Sequence, residues 1–204
     1  MALLSRILSV FESVIILSRM GSGHTATISF RALVEAAFNY VALAKDESYL
    51  ERITSDAMAQ RRKQVKAVLD HKKRHGILDD FVTDASIFLE KTKDVSGPLQ
   101  VKQIAEKAGM LDWYNVTYTF ASQATHSSAN SVEESIELSP DYGLPAYIDF
   151  RRSWDGMNNL LLASCDLLLL IVATTVNRFK LDSPTEIVDL KLRAEQALRH
   201  DPPD

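Results

Sequence analysis

The sequence predicts an all-α protein, a multi-helix bundle of about six to eight helices read from apolar residues at helical spacing. Three observations point there. Glycine and proline number only 7 and 6 in 204 residues, too few breakers for a many-stranded β fold. Apolar residues recur three and four apart over long stretches. The apolar share of 46% and charged share of 25% are ordinary for a folded chain, and the length fits a single helical domain over residues 1–204.

The elements follow in order. Leu4, Ile7, Leu8, Phe11, Val14, Ile15 and Met20 trace a first helix over residues 3–20. Gly21-Ser22-Gly23 breaks it, and Ser22 or Thr25 is the expected cap of a second helix running to about Lys45. A third starts after Asp46-Glu47-Ser48. It carries an apolar seam (Leu50, Ile53, Ala57, Val65, Val68, Leu69) in a highly charged surface and ends at Gly76. A fourth covers about Leu78 to Lys93. Val101 to Ala108 is a short helix stopped by Gly109, and another runs from Leu111 to about His126. The stretch near 128–153 holds Pro140, Gly143 and Pro145, and reads as either a short β-hairpin, pairing Ser135–Leu138 with Ala146–Phe150, or a long loop. Trp154 to Phe179 is a long apolar helix. Ser183-Pro184, with Glu186 following, caps a last amphipathic helix to about Arg199.

Charge and composition narrow the function classes. A formal net charge of −4 lacks the footprint of a duplex-binding protein, and sequence-specific DNA reading is not expected. The run Val101–Met110 looks like the first helix of a helix-turn-helix, but the residues after it are not basic. Cys165 alone cannot form an internal disulfide, which fits a reducing, cytoplasmic setting. Neither a signal-peptide pattern nor a membrane segment is expected. The apolar run Leu160–Val176 contains Asp166, costly in lipid by on the order of 2.5–3.5 kcal/mol, and reads as a central core helix. No zinc spacing and no phosphate-cradling glycine loop occurs, so no metal and no cofactor is expected. The basic cluster His71-Lys72-Lys73-Arg74-His75 reads as a solvated helix end, its charge suited to a helix C-terminus.

Two polar stripes stand out against the apolar pattern. From Ala26 to Leu43 nearly every position is apolar except Arg31, Glu35 and Asn39, which share one face at i, i+4 and i+8, with His24 seven residues before Arg31. A buried charge needs a partner, so these four are either a structural fastening or a site. Tyr114, Tyr118, Ser122 and His126 recur every four residues on a second face, offering three hydroxyls and an imidazole. His126 titrates in the neutral range by type and is the candidate general acid or base. Both stripes facing one pocket is the condition for a functional site.

The residues from Gly23 to Tyr40, including His24, Thr25, Arg31, Glu35 and Asn39, followed by Leu43 and Asp46, resemble the signature of an uncharacterised bacterial helical family known as a domain of unknown function. The Tyr114, Tyr118, Ser122, His126, Ser127 series resembles it too. That family is more distantly similar to the HEPN superfamily of helical bundles. Many of those proteins are dimeric, metal-independent ribonucleases in toxin–antitoxin or phage-defence settings, with an Arg followed four to six residues later by His. Arg19 and His24 have that spacing. The resemblance implies a homodimer, a protein partner or RNA as interaction partners. It leaves two functions open: a non-catalytic helical interaction module of a defence or toxin–antitoxin type system, or a ribonuclease. In the ribonuclease His126 or His24 would act as acid or base, and Arg31 or Arg19 would stabilise the phosphate. Glu35, Asn39, Tyr114, Tyr118 and Ser122 complete either site.

Overall fold

The computed structural model describes residues 2–77, 80–95, 97–123, 136–138, 145–148 and 156–182, together with isolated helical positions between 185 and 196. Helix α1, Ala2–Arg19, buries Ile7, Val14 and Ser18 along one stripe, with Leu4, Phe11 and Leu17 packed beside them. Its end is set by Gly21, at φ 67°. Gly21 N donates to Ser18 O at 3.0 Å and Ser22 N to Leu17 O at 2.9 Å, the paired bonds of a Schellman motif that require a left-handed residue.

This turn sends the chain straight into α2, Gly23–Lys45. The expected side-chain cap is absent: Ser22 stands at the cap position but makes no side-chain cap bond. Its amide is already committed to Leu17, and its backbone (φ −93°, ψ 61°) is not the extended form that aims a cap hydroxyl forward. Helix α2 is the axis of the fold. It buries Ala26, Phe30, Leu33, Val34, Ala36, Ala37, Phe38, Val41 and Ala42, over most of its circumference, and meets nearly every other helix. The alanines let neighbouring backbones approach, and Phe30, Leu33 and Phe38 fill the space between them.

Helix α3, Tyr49–Arg74, leaves this core quickly: only Tyr49 and Leu69 along it are buried. Helix α4, Asp80–Lys91, packs back on α3 and buries only Ala85. The two are held by cations. Arg62 donates to Leu89 O and to Thr92 Oγ1, Arg61 lies over the Phe88 ring and Lys72 over the Phe81 ring. The pair is therefore an arm, joined to the body near Asp56, which pairs with Arg52 and accepts a bond from Leu99 N.

Helix α5, Val101–Ala108, opens with a capping box between Gln100 and Gln103 and closes at Gly109, φ 67°. Lys45 from the end of α2 donates to Ala108 O at 2.6 Å, placing a cation on the negative end of α5. A Cβ at position 109 would lie 2.6 Å from that ammonium, a second reason for glycine there.

The next segment departs from expectation. Instead of one α-helix from Leu111 to His126, residues Trp113–Tyr118 form a π-helical turn, followed by α6, Thr119–Gln123. Residues 124–135 lie outside the described part. A short antiparallel pair comes next, β1 (Ile136–Leu138) and β2 (Pro145–Ile148), in register Ile136↔Ile148 and Glu137↔Tyr147, so the hairpin alternative is the one adopted.

Helix α7, Met157–Phe179, buries Met157, Leu160, Ser164, Leu167 and Ile171 at spacings of three and four, against α2 and α1. It is long and apolar enough to cross a membrane by length and composition. The expectation of a central core helix needs correction, because burial is confined to this one stripe and Asp166 is exposed; α2 holds the central place. Two polar ties fix its far end. Thr175 Oγ1 donates to Ile171 O, so the Tyr40 hydroxyl donates to Thr175 at 2.6 Å, and Arg178 pairs with Glu47. The expected last helix is described only at isolated positions.

The arm's sparse burial gives a testable order of local opening. In native-state hydrogen exchange, amides of α4 and the distal half of α3 should exchange well before those of central α2, through sub-global opening. Equal protection of α4 and α2 would show that the arm is part of the core.

Candidate functional site

The two polar stripes meet, and the meeting point is one hydroxyl. Tyr118, 7% exposed, accepts from Arg31 Nη2 at 2.9 Å and Nε at 3.3 Å, and donates to Glu35 Oε1 at 3.0 Å. Arg31 Nε also lies 3.2 Å from Glu35 Oε1. Because Arg31 and Glu35 are one turn apart on α2, both can reach the same atom. The π-helical turn provides the other half of the geometry. Its i→i+5 winding is seen in the Thr119 amide bonding Tyr114 O, and residues four apart stand about one turn apart on the same face. Tyr114 therefore stacks on Tyr118, ring centroids 5.3 Å apart and planes 17° from parallel. Phe38 of α2 closes the other side at 6.3 Å, and the Arg31 guanidinium carbon sits 5.2 Å from the Tyr118 ring centre.

Electrostatics follow from this packing. Burial raises the Tyr118 pKa most, the Arg31 bond opposes it, and the Glu35 charge and bond add to it, so the hydroxyl keeps its proton and donates a hydrogen bond to Glu35. The charges are less buried than the apolar pattern of α2 implies: Arg31 and Glu35 side chains are 26% and 39% exposed. An exposed i,i+4 pair contributes only about 0.3–0.5 kcal/mol by itself. What distinguishes this pair is the shared, buried hydroxyl.

Asn39 extends the cluster on the other side. Its amide donates to Glu35 O at 2.9 Å and its Oδ1 accepts from Tyr49 at 3.2 Å. No sequence pattern singles out Tyr49, since it follows a polar turn and belongs to no stripe. Burial, then the Asp56 charge, with Arg52 opposing, pushes its hydroxyl up to about 12. Ser122 lies half-buried on α6. Arg19 and His24 are both exposed, at the end of α1 and the start of α2, and neither bonds to Arg31, Glu35 or Tyr118. His126 lies outside the described residues. Among the described residues no group of three or more His, Cys, Asp or Glu side chains could hold a metal ion. Cys165 is half-buried, and burial together with Asp166 raises its thiol, which disfavours the reactive thiolate.

The arrangement defines an all-α bundle whose central helix is locked to a π-helical turn through an Arg–Tyr–Glu network. The chain belongs to the family of unknown function DUF5677, whose model matches residues 1–143. That span contains the whole network and stops short of β2 and α7. No curated protein and no solved structure matches the chain.

Tyr49 and Tyr118 should titrate late. Tyr49 keeps its proton to about 12, against an ordinary value of 10.0. The folded state thus holds a proton that the unfolded chain releases. The associated stability, on the order of 2 kcal/mol, is fully present below pH ~10 and is lost as pH rises through ~12. An ultraviolet tyrosinate titration of the native chain should show a late step near pH 12 that is gone in Tyr49→Phe. Six tyrosines ionising together would contradict this reading.

Proposed function

We propose that the chain is a non-catalytic helical interaction module, of the HEPN-like kind its motifs resemble, serving as a partner in a bacterial defence or toxin–antitoxin type system. The observation that carries this is the saturation of the Tyr118 hydroxyl: its proton goes to Glu35 and its lone pairs take Arg31. A group engaged on both sides, with its pKa displaced away from neutrality, is suited to holding two elements in place and poorly suited to moving a proton. Val116 and Phe120, two positions either side of Tyr118, are 71% and 68% exposed. Large apolar side chains exposed next to a rigid anchor suit a docking partner.

The second reading is a metal-independent ribonuclease. It draws support from the partial exposure of Arg31, which leaves a guanidinium within reach of a phosphate at the surface. His126, His24 and Arg19 would then supply the remaining chemistry.

One experiment separates the two. The purified chain, with Tyr118→Phe, Arg31→Ala, His126→Ala and His24→Ala, is assayed for cleavage of total RNA without added metal and, in parallel, for thermal stability. The module reading expects no cleavage by the parent and a melting temperature lowered by roughly 4–8 °C in Tyr118→Phe. That corresponds to a loss of about 2 kcal/mol from the broken bonds to two charged residues. Cleavage by the parent that disappears in a fully folded His variant would sink the module reading and establish the enzyme.

A further inference from the structure

His71 and His75 lie one helical turn apart at the end of α3, both exposed, with ring centroids 4.5 Å apart and planes inclined at 50°. They stand apart from the Arg31–Glu35–Tyr118 network, so their chemistry is independent of how that network is read. We propose that these two imidazoles form a bidentate site for a divalent copper or nickel ion, which clamps the last turn of α3 where the chain reverses into α4.

The spacing carries the argument. A metal–imidazole bond of about 2.1 Å places the ion about 3.2 Å from the ring centre. Two ligands at a right angle then hold their ring centres about 4.5 Å apart, and tetrahedral ones about 5.2 Å apart. The observed separation of 4.5 Å brings the two rings close enough for one ion to reach a nitrogen of each, and it equals the ring spacing of two ligands at the right angle that square-planar and octahedral ions hold. Copper and nickel prefer it and bind imidazole well, whereas zinc prefers the tetrahedral one.

The backbone beneath the pair is already ordered for chelation. His75 caps α3, its amide bonded to His71 O and Lys72 O at 3.2 Å, and Gly76 and Ile77 bond back to Lys73 and Lys72. Both ligands are therefore presented from one turn without a folding cost at binding.

The surroundings set the selectivity. Lys72, Lys73 and Arg74 flank the pair and repel any cation. Lys72 is drawn toward Phe81 and Arg74 bonds back to Asp70 O. Exposed charges are also screened within about 8 Å at physiological ionic strength. No carboxylate completes a group of three ligands among the described residues, and two nitrogen donors suit nitrogen-seeking ions rather than hard oxygen-seeking ones. The remaining positions fall to water or to an anion attracted by the lysines. A cationic rim with two nitrogen donors thus favours the ions highest in the affinity order for nitrogen.

The test is nickel(II) chloride titrated into the full chain by calorimetry, with His71→Gln, His75→Gln and the double variant. Both positions are exposed, so the variants should fold, and their far-ultraviolet dichroism serves as the check. The expected result is a single equivalent bound by the parent, weakening on the order of tenfold or more in each single variant, and loss of the site in the double. Amide exchange over residues 71–77 should slow on nickel binding in the parent alone. A parent that binds no nickel, or singles that keep the parent's affinity because the ion sits elsewhere, would overturn the proposal.

Discussion

The hydroxyl of Tyr118 is the constraint on which the site depends. It is a buried polar atom with one proton to give, set between a cation and an anion of the same helix. Left alone it would cost on the order of 1–3 kcal/mol as an unsatisfied group. Bonded to Arg31 and Glu35, it ties the π-helical turn to α2 at a fixed rotation. The stacking of Tyr114 and the contact with Phe38 set the ring; the two charges set the oxygen. On the π-helical turn of residues 113–118 Tyr114 stands about one turn before Tyr118, so its ring stacks on Tyr118 while Tyr118 points inward.

The same hierarchy orders the rest of the molecule. Helix α2 is buried over most of its circumference, so its neighbours are positioned relative to it, and polar ties mark three of its junctions: Asn39 with Tyr49 at the start of α3, Lys45 with the end of α5, Tyr40 with Thr175 of α7. The arm of α3 and α4 lacks such a core and relies on cations set against rings and carbonyls. The family match covers the centre and the arm and ends before α7, which leaves the network inside the shared part.

Much of this was legible in the sequence for identifiable reasons. Gly21, Gly76 and Gly109 mark helix ends because a left-handed residue closes each one, and the ends of α1, α3 and α5 fall where those signals put them. Arg31, Glu35 and Asn39 stood out because polar residues interrupt an apolar helix, and the Tyr114–Tyr118 spacing marked their common face. The winding of that face was not legible, since an i, i+4 repeat is compatible with both α and π turns. Nor was the partial exposure of Arg31 and Glu35, which depends on which neighbours cover α2. Tyr49 entered through tertiary contact alone. Apolar density was misleading in α7: a run of leucines reads as wholly buried, yet only positions at spacings of three and four face α2 and α1.

The most direct test of the central claim is a double-mutant cycle between Glu35→Gln and Tyr118→Phe, read by chemical denaturation. Phenylalanine keeps the ring contacts with Tyr114 and Phe38 and removes only the hydroxyl. If the hydroxyl joins the two elements through Glu35, the two changes should couple by about 1 kcal/mol or more. Additive effects, within roughly 0.3–0.5 kcal/mol, would show that the bond contributes nothing beyond its parts and that packing alone holds the π-helical turn on α2.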